Sequence, residues 1–219
     1  MKTLSNDPVY IFDLDGTVVN PGTAIPRCIN YALKNNGEKT VPIERLKRYI
    51  GFSLEEIFTT VTGRKDKRFI KKCIDSYRER FHKEGIAEHR LYPGIVGLLD
   101  AVAKNGNLLV ASNKPRVSCE MVLEHLGIRS LFTNVHGPEL NGKKIEKSDI
   151  LKQAITKEPG KKVFFIGDRA SDIDAAKKNK CQSIGVSYGY GTREELRTAG
   201  ADIVAETVGE LRQCLLTNG

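Results

Sequence analysis

Asp13 and Asp15 flank a single leucine directly after the apolar run Val9-Tyr10-Ile11-Phe12, and Gly16 follows them. Asp168 stands after a second such run, Val163-Phe164-Phe165-Ile166, and Ser112-Asn113 after a third, Leu108-Leu109-Val110-Ala111. Carboxylates gathered beside apolar strand ends repel one another unless a cation neutralises them. Oxygen donors of this kind suit Mg²⁺, which keeps several waters and takes a substrate phosphate oxygen as a further ligand. Two carboxylates as close as Asp13 and Asp15 can divide the work, one attacking phosphorus and the other trading protons with the leaving oxygen. Gly16 frees the backbone to turn beneath them. Ser112 offers a hydroxyl and nearby N–H groups to a phosphate, and a lysine close by would balance charge on the transferring phosphoryl group.

For these residues to meet, the runs that precede them must be neighbours in one sheet. From Tyr92 onward strand and helix patterns alternate, which implies a parallel sheet covered by helices on both faces. Helices are expected over Ile95 to Lys104, Pro115 to Leu126, Ser148 to Thr156, Ser171 to Asn179 and Val208 to Leu216. Further strands are expected at Val135 to Gly137, Ser183 to Val186 and Ile203 to Ala205. In open sheets of this class ligands bind at the carboxyl ends of the strands. Ser171 and Asp174 have the spacing of a capping box.

Between about Pro21 and Glu88 strand patterns give way to helical ones. Phe69, Ile70, Cys73, Ile74, Tyr77 and Phe81 recur at spacings of three to four, one face of a helix that Asp66 can cap. Ser53-Leu54-Glu55-Glu56 has the capping-box pattern of another helix start. The expected fold is therefore α/β: a doubly wound, mostly parallel sheet in residues 1–20 and 89–219, interrupted by a small helical cap in 21–88.

The 219 residues carry a net charge of +8 and are 40% hydrophobic, ordinary for a globular chain and enough for one sizeable core with a small accessory domain. Basic clusters such as Arg64-Lys65-Asp66-Lys67-Arg68 read as solvated helix faces, so no nucleic-acid partner is expected. No apolar run reaches the length of a membrane span, and no secretory signal is expected ahead of the first strand. The five cysteines are scattered and form no C-x-x-C pair, which fits core packing in a reducing cytoplasm. A small phosphorylated metabolite is the expected partner, with the chain acting as monomer or homodimer. A calcium loop does not fit, because Thr17 and Ala24 stand where it needs acids.

Three motifs in order carry a family resemblance. Asp13-Leu14-Asp15-Gly16-Thr17, Ser112-Asn113, and Gly167-Asp168-Arg169-Ala170-Ser171-Asp172 resemble the first, second and fourth motifs of the haloacid dehalogenase-like superfamily. The helical insertion resembles the branch of phosphoglycolate phosphatases and related nucleotidases. So does Ser187-Tyr188-Gly189-Tyr190-Gly191-Thr192 before Glu194-Glu195-Leu196. The resemblance implies a Rossmann-like core and a phosphoric monoester hydrolase. It makes Asp13 the nucleophile and Asp15 the general acid/base. It places Mg²⁺ on Asp13, Asp168 and the backbone carbonyl of Asp15, with Asp172 supporting the metal's water shell. Ser112, with Gly16, Thr17 and Asn113, would bind the substrate phosphate. For the lysine of the third motif Lys147 fits best, because a helix begins immediately after it; Lys143 and Lys144 are alternatives.

Rival readings are a phosphomutase on the same scaffold, a dehalogenase, which would need neither Asp15 nor the metal, and a non-catalytic phosphate-binding module. Phosphoglycolate, a nucleoside monophosphate and a sugar phosphate all remain open as substrate. The stretch around Tyr49-Ile50-Gly51-Phe52-Ser53 is either a substrate loop or a turn between helices.

Overall fold

The computed structural model describes residues 7–140 and 145–218. The chain starts with β1 (Val9–Phe12), whose four side chains are all buried, and reaches β2 (Val19–Asn20) through the tight loop that carries the acidic motif. The helical segment follows: α1 (Ala24–Asn35), α2 (Ile43–Leu46), α3 (Leu54–Thr62) and α4 (Lys67–Arg80). After β3 (Arg90–Leu91), strand and helix alternate: α5 (Ile95–Ala103), β4 (Asn107–Ala111), α6 (Arg116–His125), β5 (Asn134–His136), α7 (Lys147–Thr156), β6 (Val163–Gly167), α8 (Ala170–Lys178), β7 (Gln182–Val186), α9 (Arg193–Thr198), β8 (Ile203–Ala205) and α10 (Val208–Asn218).

Six strands form one parallel sheet in the order β5-β4-β1-β6-β7-β8. Runs without polar alternation, such as Tyr10 to Phe12 and Phe164 to Ile166, are what a sheet buried on both faces requires. Val9, Ile11, Leu109, Ala111 and Phe165 pack with Ile150, Leu151 and Ala154 of α7 and Ala175 and Ala176 of α8. On alternate positions Tyr10 stacks on Phe164 and Phe12 meets Phe132 edge-on. The chain leaves β1 toward β4 and β5 on one side and later takes up β6 on the other, so β1 sits at the topological switch point, where such sheets bind ligands. Phe12 is paired with both Val110 and Ile166. That register carries Asp13, Ser112 and Asp168 off the same sheet edge.

The chain divides into two compact units, one comprising the segments that end at Asn20 and resume at Leu91, the other Pro21–Arg90. In the second unit α4 buries Ile70, Cys73 and Tyr77, with Phe81 just beyond its end, and Asp66 caps its start by accepting the Arg68 N–H at 3.0 Å. Ser53 caps α3 through the reciprocal box with Glu56. The unit runs two residues past the boundary expected at 88. The reason lies in a π-turn at Phe81–Gly85: His89 is buried against the Phe81 ring, and its Nδ1 lies 2.7 Å from the Gly85 carbonyl. β2 and β3 pair as a two-stranded ribbon where the chain leaves the sheet unit and returns to it.

One local expectation needs correcting. Helix α8 begins at Ala170, not Ser171, and the acid that closes its N-terminus is Asp172, which accepts the Arg169 N–H at 3.0 Å. Arg169 is extended at the strand exit, so the helix starts as soon as the chain has turned and the box moves two residues toward the strand.

Candidate active site

Asp13 leaves β1 with its N–H bonded to the Ile166 carbonyl at 2.8 Å, so the sheet itself fixes its backbone. Its carboxylate is buried, and the Ser112 hydroxyl donates to it. Ser112 is anchored in turn, its N–H bonding the His136 carbonyl at 3.0 Å. Among the described residues, Asp13, Asp168 and Asp172 bring carboxylate oxygens within 4.8 Å of one another. Lys147, the first residue of α7, reaches between two of them: Nζ lies 2.8 Å from Asp13 Oδ1 and 2.9 Å from Asp172 Oδ1. Only 7% of Lys147 is exposed. The alternative lysines, Lys143 and Lys144, lie outside the described residues.

Burial dominates the electrostatics. It pushes the Asp13 carboxyl up to about 6, with Asp172 adding to the rise and Lys147 and Ser112 opposing it. It also holds Asp168 well above the usual carboxylate range, helped by the charges of Asp172 and Asp13. For Lys147 burial pulls the other way, but Asp13 and Asp172 together outweigh it, and the ammonium is stabilised.

Asp15 faces a different partner. Lys114 Nζ lies 2.9 Å from one of its oxygens and 2.7 Å from the other. Its side chain is therefore not part of the acidic cluster around Asp13. Lys114 carried no expectation from the sequence, although it directly follows Ser112-Asn113 at a strand end, the only hint of its place. Asn113 is half-buried beside it. Gly16 takes φ +91° and lies so close to Asp168 that a Cβ there would overlap its carboxylate; only glycine fits both constraints. Thr17 is fully buried, and its hydroxyl faces Asp168 Oδ1 at 3.5 Å.

The four buried carboxylates of Asp13, Asp15, Asp168 and Asp172 stand against two ammonium groups, Lys114 and Lys147, leaving two negative charges when all are ionised. Apart from the ammonium of Lys147, Asp13 Oδ1 and Asp172 Oδ1 are buried without a hydrogen-bond partner. Buried carboxylate oxygens and a surplus of two negative charges fit a hard divalent cation with oxygen ligands.

A family model for haloacid dehalogenase-like hydrolases matches residues 10–186, a span that runs from β1 through β7. The chain belongs to the haloacid dehalogenase-like hydrolases. Within that family it is 33% identical to a 5'-nucleotidase of Pseudomonas aeruginosa over 211 residues, 95% of each protein. It is 30% identical to a phosphoglycolate phosphatase of Agrobacterium fabrum over 191 residues, 84% of this chain and 82% of the other. A predicted phosphatase from Clostridium acetobutylicum superimposes with a TM-score of 0.91 at 32% identity, covering 96% of this chain and 99% of that one. These hydrolases of the same family support a phosphatase. Among the described residues, no helix is long and apolar enough to cross a membrane.

Proposed function

We propose that the chain is a Mg²⁺-dependent phosphatase that hydrolyses small phosphate monoesters through an aspartyl-phosphate on Asp13. The observation that carries this reading is the convergence of Asp13, Asp168 and Asp172 around a charge deficit, with Lys147 between two of them. Asp13, Asp168 and the backbone carbonyl of Asp15 would hold Mg²⁺, and Asp172 would support its water shell. When bound, the cation supplies positive charge to the phosphoryl oxygens and keeps the buried carboxylates ionised.

Asp13 attacks phosphorus, and the ester oxygen leaves with a proton from Asp15. Asp15 then takes a proton from the water that hydrolyses the aspartyl-phosphate. The Ser112 hydroxyl and the Lys147 ammonium bind and neutralise the transferring group, with Gly16, Thr17 and Asn113 completing the phosphate-binding set. Five free cysteines suit a reducing cytoplasm.

For the substrate, phosphoglycolate and a nucleoside 5'-monophosphate are the two readings the relatives support. The 5'-nucleotidase relative aligns over 95% of this chain and the phosphoglycolate phosphatase over 84%, which favours the nucleotide. The Ser53 hydroxyl is spent on the Glu56 carboxylate at 2.7 Å, so Ser53 serves α3 first. Phosphate release from a panel of monoesters, scored by kcat/KM, should rank nucleoside 5'-monophosphates first. EDTA should silence every substrate until Mg²⁺ is restored. Full activity in EDTA would refute the metal-dependent reading, and phosphoglycolate ranking first would refute the nucleotide one.

The proposed proton exchange through Asp15 also depends on Lys114, whose ammonium spans both of its oxygens. Lys114→Met frees the carboxylate to rotate. Misplacement of a catalytic group by about an ångström costs roughly a hundredfold. That loss is expected in kcat, with the Mg²⁺ activation constant unchanged. An unaltered kcat would disconnect Lys114 from proton transfer.

A further inference from the structure

The segment between β7 and α9 carries Ser187-Tyr188-Gly189-Tyr190-Gly191-Thr192, to which the proposed chemistry gives no role. It reaches back to the acidic loops at several points. The Tyr190 N–H donates to Asp168 Oδ2 at 2.8 Å, and its hydroxyl donates to Asn20 Oδ1 at 2.7 Å. The Tyr188 hydroxyl donates to the Thr17 carbonyl at 2.9 Å. Beyond it, the Glu195 carboxylate accepts from Arg169 Nε at 3.1 Å and from the Ala170 N–H at 2.9 Å. Gly189 is pressed so closely on this site that a Cβ would overlap the Gly16 carbonyl and the Asp168 side chain.

We propose that residues Tyr188 to Glu195 act as a positioning clamp that sets the Asp168 carboxylate for metal binding, an inference that rests on the Mg²⁺ reading above. Asp168 is fully buried beside Asp13 and Asp172, so without restraint it would rotate away from like charge. The Tyr190 N–H fixes one carboxylate oxygen. Glu195 fixes the turn immediately after Asp168 from the other side. Carboxylates that bind metals are typically held by such outer hydrogen bonds, whose loss costs about 10–100-fold in metal affinity.

The test counts free Mn²⁺ by electron paramagnetic resonance in titrations of the full chain, alongside metal-free melting temperatures. Gly189→Ala and Glu195→Ala should each bind Mn²⁺ about 10–100-fold more weakly than the unaltered protein. Glu195→Gln, which keeps an accepting oxygen, should restore most of the affinity. A role confined to stability would lower the melting temperature and leave the Mn²⁺ affinity of the folded protein unchanged, which would overturn the clamp alone. If Gly189→Ala does not fold, the Glu195 pair decides by the same measure. Absence of Mn²⁺ binding by the unaltered chain would overturn the metal reading and the clamp with it.

Discussion

Asp13→Asn should abolish turnover and, in EDTA at pH 8, make the protein more stable. Loss of a covalent nucleophile typically lowers kcat by on the order of 10⁴–10⁶. The gain in stability follows from burial, which pushes the Asp13 carboxyl up to about 6 against the charges of Lys147 and Ser112's hydrogen bond. Below the carboxyl's ordinary pKa of about 3.8 the folded and unfolded chains are both protonated there, and Asp13 costs nothing. As pH rises through 6 the folded protein must ionise a group it holds unfavourably, and stability is lost. Asparagine escapes that cost. Its melting temperature in EDTA should exceed that of the unaltered protein by on the order of 5 °C at pH 8, and the gap should close toward pH 4. For the same reason, activity at low Mg²⁺ should fall as pH drops through about 6, where Asp13 takes up a proton. Normal turnover by Asp13→Asn, with deamidation excluded by mass spectrometry, would end the proposed mechanism. A lower melting temperature at pH 8 would refute the account of the buried charge.

The acidic motif was legible in the sequence because an apolar run that meets Asp-x-Asp-Gly can only be a strand leaving a core. The stripe in α4 and the caps at Asp66 and Ser53 were legible for an equally local reason, since helix faces and N-termini are read within a few residues. Lys147 could be chosen because a helix pattern begins beside it. Lys114 could not. A lysine is ordinarily solvated, and this one meets Asp15, 99 positions away, only because parallel pairing of β1 with β4 brings the loops that follow them together. The Tyr190 contact is a backbone N–H and leaves no trace in residue type. The ribbon of Val19–Asn20 with Arg90–Leu91 is too short for any periodicity. The start of α8 depends on how Arg169 leaves the sheet, which capping residues alone do not reveal.

Lys147→Met should lower kcat by about 10²–10³, the usual loss when a charge that stabilises the transition state is removed. Lys147 Nζ is the only cation within salt-bridge range of Asp13 and Asp172 among the described residues, and those carboxylates keep the ammonium charged. The loss should therefore be constant across the neutral range and add no step to the pH profile. Arginine should not rescue it, because a planar guanidinium cannot replace a compact ammonium in a site closed by the Phe165 ring, 5.7 Å from Nζ. Stability supplies an independent readout. Breaking a buried ion pair from one side costs about 3–5 kcal/mol, since the partner charge is left uncompensated. Lys147→Met should then melt well below the unaltered protein in EDTA at pH 7.5, and a divalent cation should recover much of the difference by taking over the neutralisation. In the Asp13→Asn background one of the two stranded charges is gone, so the same substitution should cost distinctly less. Additive melting-temperature changes in that double variant would show that Lys147 and Asp13 are not coupled. Near-normal kcat in Lys147→Met would move the third-motif role to another lysine.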